Sequence, residues 1–252
     1  MDKIRISAVS YLNTSPYVYG LEHSRLSNRI EVSKDNPAEC ALKLSTGKAD
    51  VGLVPVATLL AEDHWRPITS WGIAADGPVQ SVLLVGEVPV DQMESIYLDY
   101  QSKTSNRLLQ ILCDELFEVI PDLRNSQPGY EEKIKGKCGG LLIGDRALYA
   151  RAQFPVQYDL SGCWKELTGL PFVFARWVAS GDLPKEVIGE LDAAFQYGVD
   201  QIDFVVEEQK SKYPGINLME YFGKHIHYRL DERYFRGMST FMDKLALVEQ
   251  NW

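Results

Sequence analysis

Two polar clusters lie where an apolar run gives way to a helix start, and both have the residue types to hold a small anion. The first is Ser10-Tyr11-Leu12-Asn13-Thr14-Ser15-Pro16, which follows the alternating run Ile4–Val9. The second is Ser102-Lys103-Thr104-Ser105, ahead of an amphipathic stretch from Asn106 to Ile120. A helix start carries unpaired N–H groups and a partial positive charge, so a carboxylate can seat there with hydroxyls beside it. Plain N-capping explains the same residues, with Asn13, Thr14 or Ser15 as the cap and Pro16 in the first turn. A third junction follows Gly140–Ile143, where Asp145 can cap a short helix.

The elements that position these clusters alternate between strand and helix. Strands are predicted at Ile4–Val9, Arg29–Ser33, Ala49–Pro55, Ile68–Ala74 and Val79–Val85. Asn36-Pro37 opens a helix, with Asn36 as cap and Glu39 in the first turn. This order suggests a parallel α/β sheet. After a break at Gly86–Pro89, a second series runs through Ser95–Asp99, the helix after Ser105, Gly140–Ile143 and Val156–Leu160. Trp164–Pro171 reads as an aromatic-bearing loop, and Phe172–Val178 as a strong strand. The remainder is helical: a long helix from Leu183-Pro184 to about Lys212, a short one near Leu218–Phe222, and a last one capped by Asp231.

Composition narrows the function classes. The 252 residues carry a formal charge of -9, with no basic patch to neutralise phosphates, so nucleic acid is not expected as a partner. No apolar run is long enough to cross a membrane, and the N-terminus enters a strand directly, which suggests a cytoplasmic protein. Cys40, Cys113, Cys138 and Cys163 lack Cys-x-x-Cys spacing and read as reduced thiols. The histidines, with His225 and His227 two apart, form no recognisable metal set.

A single strand, Phe172–Val178, followed only by helices, fits best if it rejoins the first sheet. That gives a discontinuous lobe of residues 1–88 and 172–252, with a second lobe of residues 89–171 inserted. Linkers near Val85–Pro89 and Leu170–Phe174 would then cross a central cleft able to close on a small molecule. The expected class is α/β, two-lobed, with a helical C-terminal part, as in type 2 periplasmic binding proteins.

Within that class the chain resembles the chorismate dehydratase family of the futalosine route to menaquinone. The resemblance is carried by Val9-Ser10-Tyr11-Leu12-Asn13 with Pro16, Asp50–Pro55, Ser81–Leu84, and Asp99 with Ser102–Ser105. It continues through Ile143–Ala147 and Trp164 with Thr168–Ala175. The sister enzyme, 1,4-dihydroxy-6-naphthoate synthase, opens differently with a Pro-Asn-Asp element that is absent here.

The resemblance implies loss of water from chorismate to give 3-[(1-carboxyvinyl)oxy]benzoate, with no metal or cofactor required. It places Asn13 at the reacting centre as a hydrogen-bond donor, since an amide is no general base. Ser81 is a second catalytic candidate. For the proton acceptor, Asp145 and the substrate's own enolpyruvyl carboxylate stay open, as does a capping role for Asp145. Ser10, Tyr11, Ser102, Thr104, Ser105, Gly144, Trp164 and Phe172 are the substrate-binding candidates, with core packing an equal reading for the aromatics. The expected partner is a small-molecule substrate, in a monomer or homodimer. A non-enzymatic binder of small carboxylates is the contrasting possibility.

Overall fold

The computed structural model describes residues 3–62 and 64–251, with backbone alone for 248–251. The first elements are β1 (Ile4–Val9), α1 (Ser15–Glu22), β2 (Ile30–Asp35), α2 (Pro37–Ser45), β3 (Val51–Pro55) and β4 (Arg66–Ala75). Next come β5 (Val82–Gly86), β6 (Ser95–Tyr97), α3 (Lys103–Glu115), β7 (Asp122–Arg124), β8 (Cys138–Ile143), α4 (Gly144–Ala150), β9 (Val156–Asp159) and α5 (Leu160–Thr168). The chain ends with β10 (Phe172–Ala179), α6 (Lys185–Asp200), α7 (Ile202–Gln209), α8 (Leu218–Glu220), β11 (His227–Arg229) and α9 (Glu232–Asn251).

Two compact units result: Met1–Ala74 with Phe174–Asp231, and Ala75–Val173 with Glu232–Trp252. The first contains a six-stranded sheet in the order β11-β4-β10-β3-β1-β2. β1 runs parallel to β2 and β3, while β10 enters antiparallel beside β3. The expected return of this strand to the first sheet is therefore observed. Tyr17 of α1 is fully buried and meets Trp177, Phe195 and Tyr228 edge-on at 5.0–5.6 Å between ring centroids. α1 and α6 cross at two glycines. A Cβ on Gly20 would stand 2.0 Å from the Ala194 carbonyl oxygen, and one on Gly198 would stand 1.9 Å from that of Pro16. Any side chain at either position would push α1 away from α6.

The second unit contains a five-stranded sheet in the order β7-β6-β8-β5-β9. β5 is antiparallel to both β8 and β9, and β6 is parallel to β7 and β8. Leu83, Val85, Tyr130, Ile134, Leu142 and Ala147 form one core cluster. Trp164, Phe172 and Phe241 form a second, each pair of rings at an edge-on angle.

The unit boundaries differ from those expected. β5 belongs to the second sheet, so the chain changes unit at Ala74–Ala75 instead of near Gly86. The apolar run Val79–Val85 identified a strand but carried no information about its sheet. α9 joins the second unit because Phe241 fills the Trp164–Phe172 cluster and Gly237 lets the helix backbone approach the Pro171 carbonyl. An amphipathic pattern specifies a buried face and leaves its partner open. Leu160–Thr168 is helix α5 where a loop was expected from Trp164: the Asp159 side chain caps it, and Gly169, with φ of +72°, ends it. The long C-terminal helix is divided at Gln201 into α6 and α7, and His227 lies on a strand.

Candidate functional site

In the first unit, the opening cluster stands at the end of β1. The Ser10 amide donates to the Asp35 carbonyl at 2.8 Å, and Leu12–Thr14 then forms a 3-10 turn. The turn alters the expected cap. Thr14 occupies the N-cap of α1 without a side-chain capping bond, and the Thr14 and Ser15 amides already donate to Tyr11 and Leu12. What the turn presents is therefore side chains, with exposed Ser10 and half-buried Tyr11 and Asn13. The Thr14 hydroxyl donates to Asn13 Oδ1 at 3.2 Å, which engages the acceptor end of the amide and directs its chemistry to the NH2 donors.

Asn13 is held from below by an aromatic frame. The Tyr228 hydroxyl donates to the Asn13 carbonyl at 3.0 Å, and the Tyr17 hydroxyl reaches the carbonyls of Gly72 at 2.6 Å and Tyr228 at 3.2 Å. Burial pushes both phenols well above their ordinary range, which keeps them protonated donors. Beneath Ser10, Asp35 accepts from Lys43 Nζ at 2.7 Å, Ser7 Oγ at 2.7 Å and Ser33 Oγ at 2.6 Å. Burial works to raise this carboxyl, and Lys43, Ser33 and Ser7 together hold it below the usual range.

In the second unit, the loop before α3 is built around Asp99. Its side chain is fully buried and accepts the Gln101 amide at 2.8 Å and Arg146 Nη2 at 2.5 Å. The Asn106 side chain clasps the Asp99 backbone, accepting from its N–H at 2.9 Å and donating to its carbonyl at 2.8 Å. Burial pushes the Asp99 carboxyl up, against the pull of the Arg146 guanidinium. Burial also opposes the Arg146 charge, but Asp99 and Glu131 beside it more than offset this and raise its pKa. Ser102 caps α3: its Oγ accepts from the Ser105 amide at 3.1 Å and donates to Ser105 Oγ at 2.8 Å. Thr104 and Ser105 are buried and Lys103 is exposed.

Ser81 lies just before β5 and is 2 % exposed; its carbonyl accepts the Gly144 amide at 2.8 Å. The approach to it is set by Asp159. This carboxylate accepts four backbone N–H groups: Val79 at 3.1 Å, Gln80 at 2.7 Å, and Ser161 and Gly162 at 3.1 Å each. Gln80 is thereby held at φ of +66°, a conformation side-chain-bearing residues rarely adopt. Burial pushes the Asp159 carboxyl up while the four N–H donors pull it down. Asp145, expected as a cap, stands instead in the first turn of α4, whose N-cap is Ile143 with no side-chain bond.

The second unit thus brings Ser81 and Gly144 into direct contact and places Asp145 beside Arg146. Of the two readings open for Trp164 and Phe172, a ring pocket or core packing, the aromatic core is where both side chains lie. Trp164 is completely buried, with Nε1 donating to Pro171 at 3.2 Å, and Phe172 is 1 % exposed. Their size and apolarity favour the Phe241 contact over an open wall. Sequence reading assigned no role to Tyr228 and Asp159, or to Asp99 and Arg146 beyond their place in quoted segments, because their functional partners lie far away in the chain. Among the described residues, no group of three or more His, Cys, Asp and Glu is placed to hold a metal. An open cavity of about 830 Å³ lies at the opposite end of β1 from Asn13, lined by residues including Lys3, Arg5, Glu31 and Asp50, and holds none of the candidates.

A family model described as menaquinone biosynthesis matches residues 4–247. The chorismate dehydratase of Thermus thermophilus is 27% identical over 259 residues, covering 94% of this chain and 93% of that protein. That of Campylobacter jejuni is 29% identical over 153 residues, covering 60% and 64%. Among solved structures, a protein from Archaeoglobus fulgidus matches with a TM-score of 0.77 at 18% identity, covering 98% of both chains. A Candida albicans protein described as having the generic periplasmic binding protein fold matches with a TM-score of 0.70 at 11% identity, covering 98% of this chain and 90% of that one. At such identities these two structures speak for the fold, which is the periplasmic-binding-protein-like α/β architecture.

Proposed function

This chain belongs to the menaquinone biosynthesis family, and from that premise we propose that it is a hydro-lyase converting chorismate to 3-[(1-carboxyvinyl)oxy]benzoate on the futalosine route. The observation that carries the reading is the match to a chorismate dehydratase along 94% of the chain. The four cysteines are free thiols, which supports a reducing, cytoplasmic setting.

The reaction removes the C3 proton and the C4 hydroxide, and the ring becomes aromatic. It is redox-neutral and strongly favoured, so the protein's work is to orient the substrate, accept a proton and help hydroxide leave. The ether and hydroxyl are trans, which puts the departing proton and hydroxyl on one face. We assign the Asn13 amide to donate a hydrogen bond to the C4 oxygen as negative charge develops there. Ser81 supports a carboxylate or the leaving hydroxyl. The turn Ser102–Ser105 receives a carboxylate through hydroxyl and backbone donors. The proton goes to one of two carboxylates, that of Asp145 or the enolpyruvyl carboxylate of chorismate.

Incubating the purified protein with chorismate and following product mass tests the assignment. Benzoate formation is expected, whereas tight binding without turnover overturns the enzyme in favour of a binding protein. Asn13→Ala is expected to lower kcat about 10²–10³-fold, the scale for removing one preorganised donor, with the fold retained by circular dichroism. Full activity would remove Asn13 from the mechanism. Asp145→Asn separates the two acceptors: loss of turnover assigns the base to the protein, and retained turnover assigns it to the substrate.

A further inference from the structure

Arg146 joins segments that are distant in sequence. Its Nη2 donates to buried Asp99 at 2.5 Å and to Gln101 Oε1 at 3.1 Å, its Nη1 donates to Glu131 at 2.7 Å, and its guanidinium carbon stands 4.9 Å from the centre of the Tyr100 ring. Asp99 in turn fixes the loop that enters α3 through the Gln101 amide and the Asn106 clasp. Arg146 itself lies in the first turn of α4, next to Asp145 and two residues beyond the Gly144 amide that bonds the Ser81 carbonyl. Hydrogen bonds and short stretches of backbone therefore link Ser81, through Gly144 and Arg146, to Asp99 and on through Gln101 and Asn106 to the Ser102–Ser105 turn. A buried ion pair of this kind adds little net stability, because desolvation of the two charges offsets most of their attraction. Its geometric effect is larger: the planar fork admits few arrangements of the groups it bridges.

We propose that the Asp99–Arg146 pair is a positioning device that holds the start of α4, with Asp145, in register with the start of α3, with Ser102 and Ser105, for the reaction assigned above. This role rests on the chorismate dehydratase reading for its chemistry, and on this unit's own geometry for the coupling of the two helix starts. Lysine cannot replace the arginine, because a point-like ammonium does not span Asp99, Gln101 and Glu131 together.

The test compares wild type, Arg146→Lys and the neutral double variant Asp99→Asn/Arg146→Gln. Both variants are expected to fold, with the double variant melting within a few degrees of wild type. Each is expected to lose kcat, by about 10²-fold for the double variant, which is the scale for misplacing catalytic groups by about an ångström. A merely structural pair would change melting and leave the kcat and KM of the folded protein at wild-type values, and that result overturns the proposal. Amide hydrogen exchange supplies a readout free of substrate. Residues 99–106 and 144–147 are expected to lose protection together in the double variant, while β5 and β8 keep theirs; unchanged protection at both helix starts also overturns the proposal. If wild type itself makes no benzoate, the functional reading has failed, and exchange alone still decides whether the pair couples the two helices.

Discussion

The two units hold their candidate residues by different physics. In the first, Asn13 rests on Tyr228, which packs on Tyr17, itself set against Trp177 and Phe195, and the polar ties to Asn13 and its frame are neutral hydroxyls donating to carbonyls. In the second, two carboxylates organise the loops: Asp159 gathers four N–H groups, and Asp99 binds an arginine, a tyrosine and a backbone amide. Aromatic packing positions through shape and tolerates loss of one hydroxyl. A carboxylate that satisfies several donors at once leaves all of them unsatisfied when removed. The second unit is therefore expected to be the more sensitive to single polar substitutions, and the first to changes of volume.

Asp159→Ala sets the steepest test of this contrast. It strips the acceptor from four backbone donors and from the left-handed Gln80, and is expected to cost about 2 kcal/mol, lowering the apparent Tm by roughly 4–8 °C. Thermal unfolding measures it, and a shift no larger than that of a surface substitution would erase the distinction between the units. Tyr228→Phe is expected to do less. It removes one hydroxyl and keeps the ring, costing about 1 kcal/mol, and lowers kcat more than it lowers Tm because Asn13 loses its tether. If its stability loss equals that of Asp159→Ala, aromatic packing is not the dominant support.

The smallest effect concerns Asp35, the first unit's one described carboxylate tie beneath the Ser10 turn. Its folded pKa is depressed, so its contribution is present above the unfolded value near about 3.9 and is lost as pH falls through the lower folded value. Lys43→Met is expected to cost about 0.5 kcal/mol at neutral pH, Lys43 being a quarter exposed. The gap between variant and wild type narrows below about pH 4, where Asp35 protonates in both. Urea titrations at several pH values measure this, and a gap independent of pH would detach the stability effect from Asp35 ionisation.

Much of the scaffold was legible because it is local. Asn36-Pro37 marks a cap that is made, with Asn36 Oδ1 accepting from the Glu39 amide at 2.9 Å. The alternating and apolar runs of β1, β3 and β10 identified those strands. The three-residue strands β7 and β11 were missed, since three residues with charged ends carry neither periodicity nor an apolar run. The candidate side chains at the strand ends were visible as residue types, but the groups that hold them were not. Tyr228 is 215 residues from Asn13, Arg146 is 47 from Asp99, and Asp159 is 79 from Gln80. Such pairings are set by topology, which no local pattern encodes.

The placement of α9 in the second unit bears on how the chain matures as it is synthesised. Trp164 and Phe172 emerge from the ribosome well before Phe241, the ring that completes their cluster. The first unit has the same delay, since Tyr17 waits for Trp177, Phe195 and Tyr228. The first unit gains its last rings only after most of the second has been made, and the second waits longer still for α9, so the usual order in which an N-terminal domain folds before the next one appears does not apply. The nascent chain must carry two incomplete aromatic cores until Tyr228 emerges, and one until Phe241 follows.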